Sequence, residues 1–138
     1  MQKLLRISER VNVVLHALGY IASADTNAPV HKMAKTLSVS KHYVVKLLQP
    51  FVKAGYLGSV RGAKGGFSFL KNPHQVSVYE LMELIEGPLP VDGCLFEHQR
   101  CKGNTCKFRT LSAEVRELAE RSLRKMTLAQ FIDHSPGR

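Results

Sequence analysis

The hydrophobic period changes within one stretch, SVSKHYVVKLLQPFVKAGYLGSVRGAKGGFSFL, residues 38–70. Up to Lys53 the apolar residues Val44, Val45, Leu48, Phe51 and Val52 recur at helical steps, and Gly55 supplies the stop. Beyond it two strand-like runs, Leu57 to Val60 and Phe67 to Leu70, flank a turn built from Arg61, Gly62, Ala63, Lys64, Gly65 and Gly66. A helix that feeds directly into a tight hairpin predicts a β-hairpin wing. Its glycines permit positive φ and close backbone approach, while Arg61 and Lys64 put cations at the tip. Such a tip suits a nucleic-acid minor groove. A nucleotide-binding loop is the rival, but the P-loop and dinucleotide spacings are missing and a strand follows the glycines.

The residues before the wing spell two more helices. Ile7, Val11, Val14, Leu15, Leu18 and Ile21 keep helical spacing behind Ser8 as N-cap, and the polar loop SADTNAP ends that helix. Pro29 suits the first turn of a short second helix, PVHKMAKTL, with Met33, Ala34 and Leu37 facing inward. Joined to the following helix by a turn of three or four residues, it makes a helix-turn-helix. On the third helix His42, Lys46, Gln49 and Lys53 form an outward stripe, and Ser40, Lys41, His42 and Tyr43 stand at the N-terminal end, where recognition helices meet base edges. A merely solvated face is the alternative. Pro50 predicts a kink between Lys46 and Pro50.

Charge supports the nucleic-acid reading. Of the net +9, all the excess lies in residues 1–75, which hold eleven Lys and Arg against two acids, whereas residues 76–138 hold nine of each. Such an asymmetry is the footprint of a polyanion partner, here double-stranded DNA. At 138 residues the chain is one ordinary domain with an appendage. No apolar run approaches the ~20 residues of a membrane span, and the first residues lack a signal-peptide pattern, so a cytoplasmic protein without a membrane partner is expected. No paired catalytic carboxylates, nucleophile elbow or metalloprotease helix appears, which argues against an enzyme.

The second half opens with Ser77 and Glu80 spaced as a capping box. Val78, Leu81, Leu84 and Ile85 give its helix an apolar face, ended by Gly87 and Pro88. Then Cys94, Cys101 and Cys106, the only three cysteines, fall within CLFEHQRCKGNTC at spacing C-x6-C-x4-C. An odd number of thiols in a reducing compartment points to metal or redox chemistry rather than a disulfide framework. Thiolates suit iron-sulfur clusters, zinc or copper(I); zinc with His98 and free thiols acting as a redox switch are the alternatives. Leu111, Val115, Leu118, Ser122 and Lys125 or Met126 follow at steps of four and three, a seam suited to helix pairing and so to a homodimer. In TLAQFID, Leu128, Phe131 and Ile132 are expected to tuck back in.

The run SVRGAKGGFSF, followed by VSVYELMELIEGP and a three-cysteine loop, closely resembles the IscR/NsrR group of bacterial winged-helix regulators, the Rrf-two family. The likeness spans nearly the whole chain. It implies a homodimeric transcription factor, often a repressor, holding an iron-sulfur cluster (2Fe-2S or 4Fe-4S) on the three cysteines. A fourth ligand is then needed. In some relatives an acid near the start of the first helix, donated by the other subunit, serves; through ISERV that position is Glu9. Elsewhere in the group a His three residues after the last cysteine serves, and here Arg109 occupies that place, while His98 is a local alternative. Cluster-free relatives keep a thiol- or ligand-responsive regulator open, and a small iron-sulfur electron carrier is the reading from another class.

The expected architecture is therefore mainly α with a small β-hairpin wing. A winged helix-turn-helix DNA-binding domain occupies 1–75. A linker helix, the cysteine loop 94–106 and a long C-terminal dimerisation helix occupy 76–138. The expected DNA contacts are Ser40, Lys41, His42, Tyr43, Lys46, Gln49, Arg61 and Lys64, on a pseudo-palindromic operator.

Overall fold

The computed structural model describes residues 7–89 and 106–133. Six α-helices and a three-stranded antiparallel sheet follow one another among these residues. Helix α1, Glu9–Ala22, starts where Ser8 caps it, the Ser8 Oγ accepting from the Val11 amide at 3.2 Å. Ile7 lies ahead of the helix and is 51% exposed, so it is not part of the buried face. That face is wider than one stripe: Val13 and Ala17 are buried alongside Val11, Val14, Leu15, Leu18 and Ile21. The reason is position, since α2, α3, α4, α6 and a strand of the sheet all pack on this helix.

The first strand, β1 (Ala28–Pro29), corrects the place of Pro29. Pro29 is not in the first helical turn; it is extended at φ −66°, ψ 134° and stands before α2, Val30–Leu37. Two residues at a sheet edge have no period to announce a strand, and an edge tolerates the missing proline N–H. Helix α3 is Lys41–Lys53, and the wing is β2, Leu57–Val60, with β3, Gly66–Phe69. The strand order is β1-β3-β2, with Ala28 opposite Phe67 and Val60 opposite Gly66.

Strand β3 begins one residue before the expected Phe67 because Gly66 takes part in the pairing. A Cβ on Gly66 would sit 2.0 Å from the Ala28 carbonyl oxygen, and one on Gly65 would sit 2.2 Å from that of Val60. Within the wing only Gly62 needs positive φ, at 108°. The other two glycines serve close backbone approach.

Helix α3 buries Val44, Leu47, Leu48 and Phe51, while Val45 and Val52 are only half-buried. It runs on through Pro50. Pro50 and Lys46 are both exposed, so the hydrogen bond that proline removes is missing on the solvent side, where water can take its place. Gly55, at φ 81°, then ends the helical path.

A short 3-10 turn, Pro73–Gln75, leads to α4, Val78–Glu86, which has the full capping box: Glu80 N to Ser77 Oγ at 3.2 Å and Ser77 N to Glu80 Oε1 at 3.1 Å. Leu81 is buried, whereas Leu84 is 38% exposed and not a core residue among the described ones. Helix α5, Lys107–Lys125, buries only Ala119. Helix α6, Leu128–Asp133, tucks Leu128 and Ile132 into the core. The corner between these last two helices is pinned to the start of α4, with Val78 N to Met126 O and Leu128 N to Val76 O both at 2.8 Å. One core results, in which Val76, Val78, Leu81, Leu128 and Ile132 join Leu18, Met33, Leu48, Phe51 and Leu57.

Candidate nucleic-acid interface

Three residues turn the chain from α2 into α3. Ser38 takes the left-handed conformation, φ 55° and ψ 40°, and Ser40 caps α3 with its Oγ accepting from the Tyr43 amide at 3.1 Å. This turn, and the burial of Val44, Leu47, Leu48 and Phe51, fix which side of α3 faces out. Lys41, His42, Lys46, Gln49 and Lys53 are all exposed, and Tyr43 is half-buried against the core. Ser40 thus has a structural task that its place near the helix start did not reveal.

Between the start of α2, the outer face of α3 and the wing lies a cleft of about 580 Å³. It brings together Lys41 and Gln49 from α3 with Arg61 from the wing. His31 and Ser59 line it too and were not expected from the sequence. The missed signal is tertiary: β1 pairs with β3 and so carries the first turn of α2 to the wing. No carboxylate lines this cleft among the described residues. Lysine and arginine beside a glutamine amide supply phosphate contacts and a bidentate partner for adenine. His42, Lys46 and Lys53 extend the cationic and polar surface along α3, outside the cleft. Lys64 is exposed on the wing, where its carbonyl accepts from Asn27 Nδ2 at 3.1 Å.

The cysteine segment is reached from both sides. Cys106 stands at the N-cap of α5, half-buried, with its side chain making no capping hydrogen bond. Cys94, Cys101 and His98 lie outside the described residues. Glu9 is exposed at the start of α1, and the neighbouring Ser8 hydroxyl donates to the Glu86 carboxylate at the last residue of α4. The start of α1 and the end of α4 therefore meet where the chain sets out toward the cysteines. Among the described residues no group of three His, Cys, Asp or Glu side chains converges. No helix of the described residues is long and apolar enough to cross a membrane.

Comparison with known proteins agrees with this architecture. Residues 7–134 match the family model described as "Rrf2: Iron-dependent Transcriptional regulator". An rrf2-like HTH-type transcriptional regulator of Rhodobacter capsulatus is 32% identical over 120 residues, covering 79% of this chain and 80% of its own. The structure of CymR, described as the global cysteine regulator of B. subtilis, superposes with a TM-score of 0.77 at 25% identity and covers 95% of this chain and 98% of that one. T. potens IscR shares the fold, with a TM-score of 0.73 at 23% identity over 94% of this chain and 87% of its own. The relatives regulate transcription and are not enzymes. With a winged helix-turn-helix, a cationic cleft and a family match over nearly its full length, the chain belongs to the Rrf2 family of transcriptional regulators.

Proposed function

We propose that the protein is a homodimeric repressor that reads a pseudo-palindromic DNA operator through α3 and the wing of each subunit. Its affinity for that operator would answer to an iron-sulfur cluster, or to redox or nitric oxide chemistry, at Cys94, Cys101 and Cys106. The observation that carries the DNA part is the meeting of Lys41, Gln49 and Arg61 in one cleft without a carboxylate. The dimer is supported by α5, on which Leu111 is 47% and Leu118 59% exposed along one seam. Such a stripe calls for a partner helix.

The residues present fit a cluster in part. Cys106 offers a thiol not spent on capping, at the start of a 19-residue helix whose first amides favour negative charge. Glu9 is exposed, as a ligand donated to a second subunit has to be. Cys94 and Cys101, which complete the proposed donor set, belong to the segment outside the described residues. When bound, a cluster supplies an iron site at which small oxidants or nitric oxide react. The chain's own part is to hold it between the end of α4 and the start of α5, so that a change there reaches α1 through the Ser8–Glu86 contact.

The likeness to CymR, at 25% identity over nearly the whole chain, favours a second reading in which the same cysteines act as thiols without a cluster. The deciding experiment is the visible spectrum, with iron and sulfide content, of protein purified without oxygen. Charge-transfer bands with stoichiometric iron and sulfide, lost in Cys106→Ala, support the cluster. A colourless protein from an iron-replete preparation supports the thiol switch.

A further inference from the structure

A second recess, of about 790 Å³, opens between the C-terminal half of α1, α2 and α6. Its size is that of a small-molecule site. None of the residues assigned above to DNA or to the cysteine segment lines it. Leu37, Phe131 and Ile132 give it an apolar side, and Lys32 gives it an ammonium. No carboxylate lines it among the described residues. His16, edge-on to Phe131 with centroids 5.4 Å apart, is held by its Nδ1 at 2.8 Å from the Asn12 carbonyl. That carbonyl can only accept, so Nδ1 carries the proton and Nε2 is left as the ring's second polar atom.

Asn27 ties this recess to the wing. It lines the cavity, and its Nδ2 donates to the Lys64 carbonyl at 3.1 Å. Its Oδ1 is buried with no hydrogen-bond partner. That oxygen asks for a donor, which a carboxylate does not supply, so Asn27 bears on the recess through its bond to the wing instead. Asn27 is also next to Ala28, whose backbone oxygen packs against Gly66 in β3. A shift in this residue is therefore passed to the start of the wing's second strand and the turn before it.

We propose that the recess is an effector site for a small amphipathic carboxylic acid. Lys32 meets the carboxylate, the Leu37, Phe131 and Ile132 side takes the hydrocarbon, and occupancy alters operator affinity through Asn27 and the wing. A cationic ligand is disfavoured by Lys32. The binding half stands on the cavity alone, whereas the coupling half rests on the wing's contact with DNA.

The test uses the full chain with octanoate as probe and octanamide as its uncharged control, by titration calorimetry without DNA. Octanoate is expected to bind saturably, with Lys32→Gln weakening it roughly fivefold, the size of an exposed charge pair, and leaving octanamide unchanged. Thr36→Trp, on the rim of the cavity, should abolish both while circular dichroism stays native. Saturating octanoate should then change operator affinity by about threefold or more in the parent protein, and not in Asn27→Ala. No octanoate binding up to its solubility limit, or binding indifferent to both Lys32→Gln and Thr36→Trp, overturns the site. Binding that leaves operator affinity unchanged overturns the coupling. A protein that binds octanoate but no operator under any condition instead counts against the DNA contacts proposed for the cleft.

Discussion

Single residues carry much of the wing's geometry, and they make unequal demands. Gly66→Ala drives a methyl into the Ala28 carbonyl, 2.0 Å away, where backbone has to move. Gly62→Ala meets only the penalty of φ 108°. We expect about 2–3 kcal/mol lost in the first and about 1 kcal/mol in the second, measured by urea denaturation. Ser77→Ala, which removes the capping box of α4, should cost about 1 kcal/mol in the same assay. Tyr56 gives a pH signature. Burial first, and the Glu80 carboxylate second, raise its hydroxyl above the ordinary 10.0. The native state therefore prefers the neutral phenol; the contribution is complete below pH 10 and is lost as pH climbs through the raised value. Tyr56→Phe should flatten the loss of stability measured as pH rises above 10. At this scale the sequence was readable where a side chain bonds its own neighbourhood. Ser8 and Ser77 stand three residues before the amides they meet, and Ser40, read only as a DNA contact, turns out to have the same spacing. The same spelling at Thr127 and Gln130, which cap α6 reciprocally at 3.1 and 3.2 Å, passed unnoticed behind a long helix.

Helices and strands divide into those with a period and those without. Helix α3 and the long helix α5 were legible because their apolar residues repeat over three or more turns. β1 was not, since a two-residue strand exists only through its pairing with β3. The candidate interface followed the same division. Lys41, Gln49 and Arg61 could be read from one continuous stretch, whereas His31 reaches the cleft only because that pairing folds α2 against the wing. The elements differ in what their loss should do. Arg61→Ala, on the wing, should weaken operator binding about tenfold and lower the slope of log affinity against log salt by about one, as one phosphate contact does. Gln49→Ala should change the preferred base at one position of the operator, by about 1–3 kcal/mol of discrimination, with the salt slope unaltered. Fluorescence anisotropy at several salt concentrations separates the two, and unchanged affinity in Arg61→Ala would reject the wing contact.

At the level of the whole molecule, the proposed dimer rests on α5. Its seam of Leu111 and Leu118 has no cover among the described residues. Leu118→Glu should therefore lower the sedimentation mass toward that of one chain and weaken operator binding together with it, because two half-sites are then no longer held by one particle. The return of Leu128 and Ile132 to the core was legible in TLAQFID, but not the point at which it is fixed, because that point is set by backbone atoms. Val76 and Leu128 bond across Ser77 and Thr127, so the chain leaves for α4 and comes back from α5 at one point. Helix α4 itself belongs to the core, packed on α1 and tied to it through Ser8 and Glu86. A lineage could lengthen, shorten or rewrite the stretch between α4 and α5, new signal chemistry included, while the part that reads DNA kept its shape. The same frame can then serve many inputs, each fitted as an attachment is fitted to a common socket.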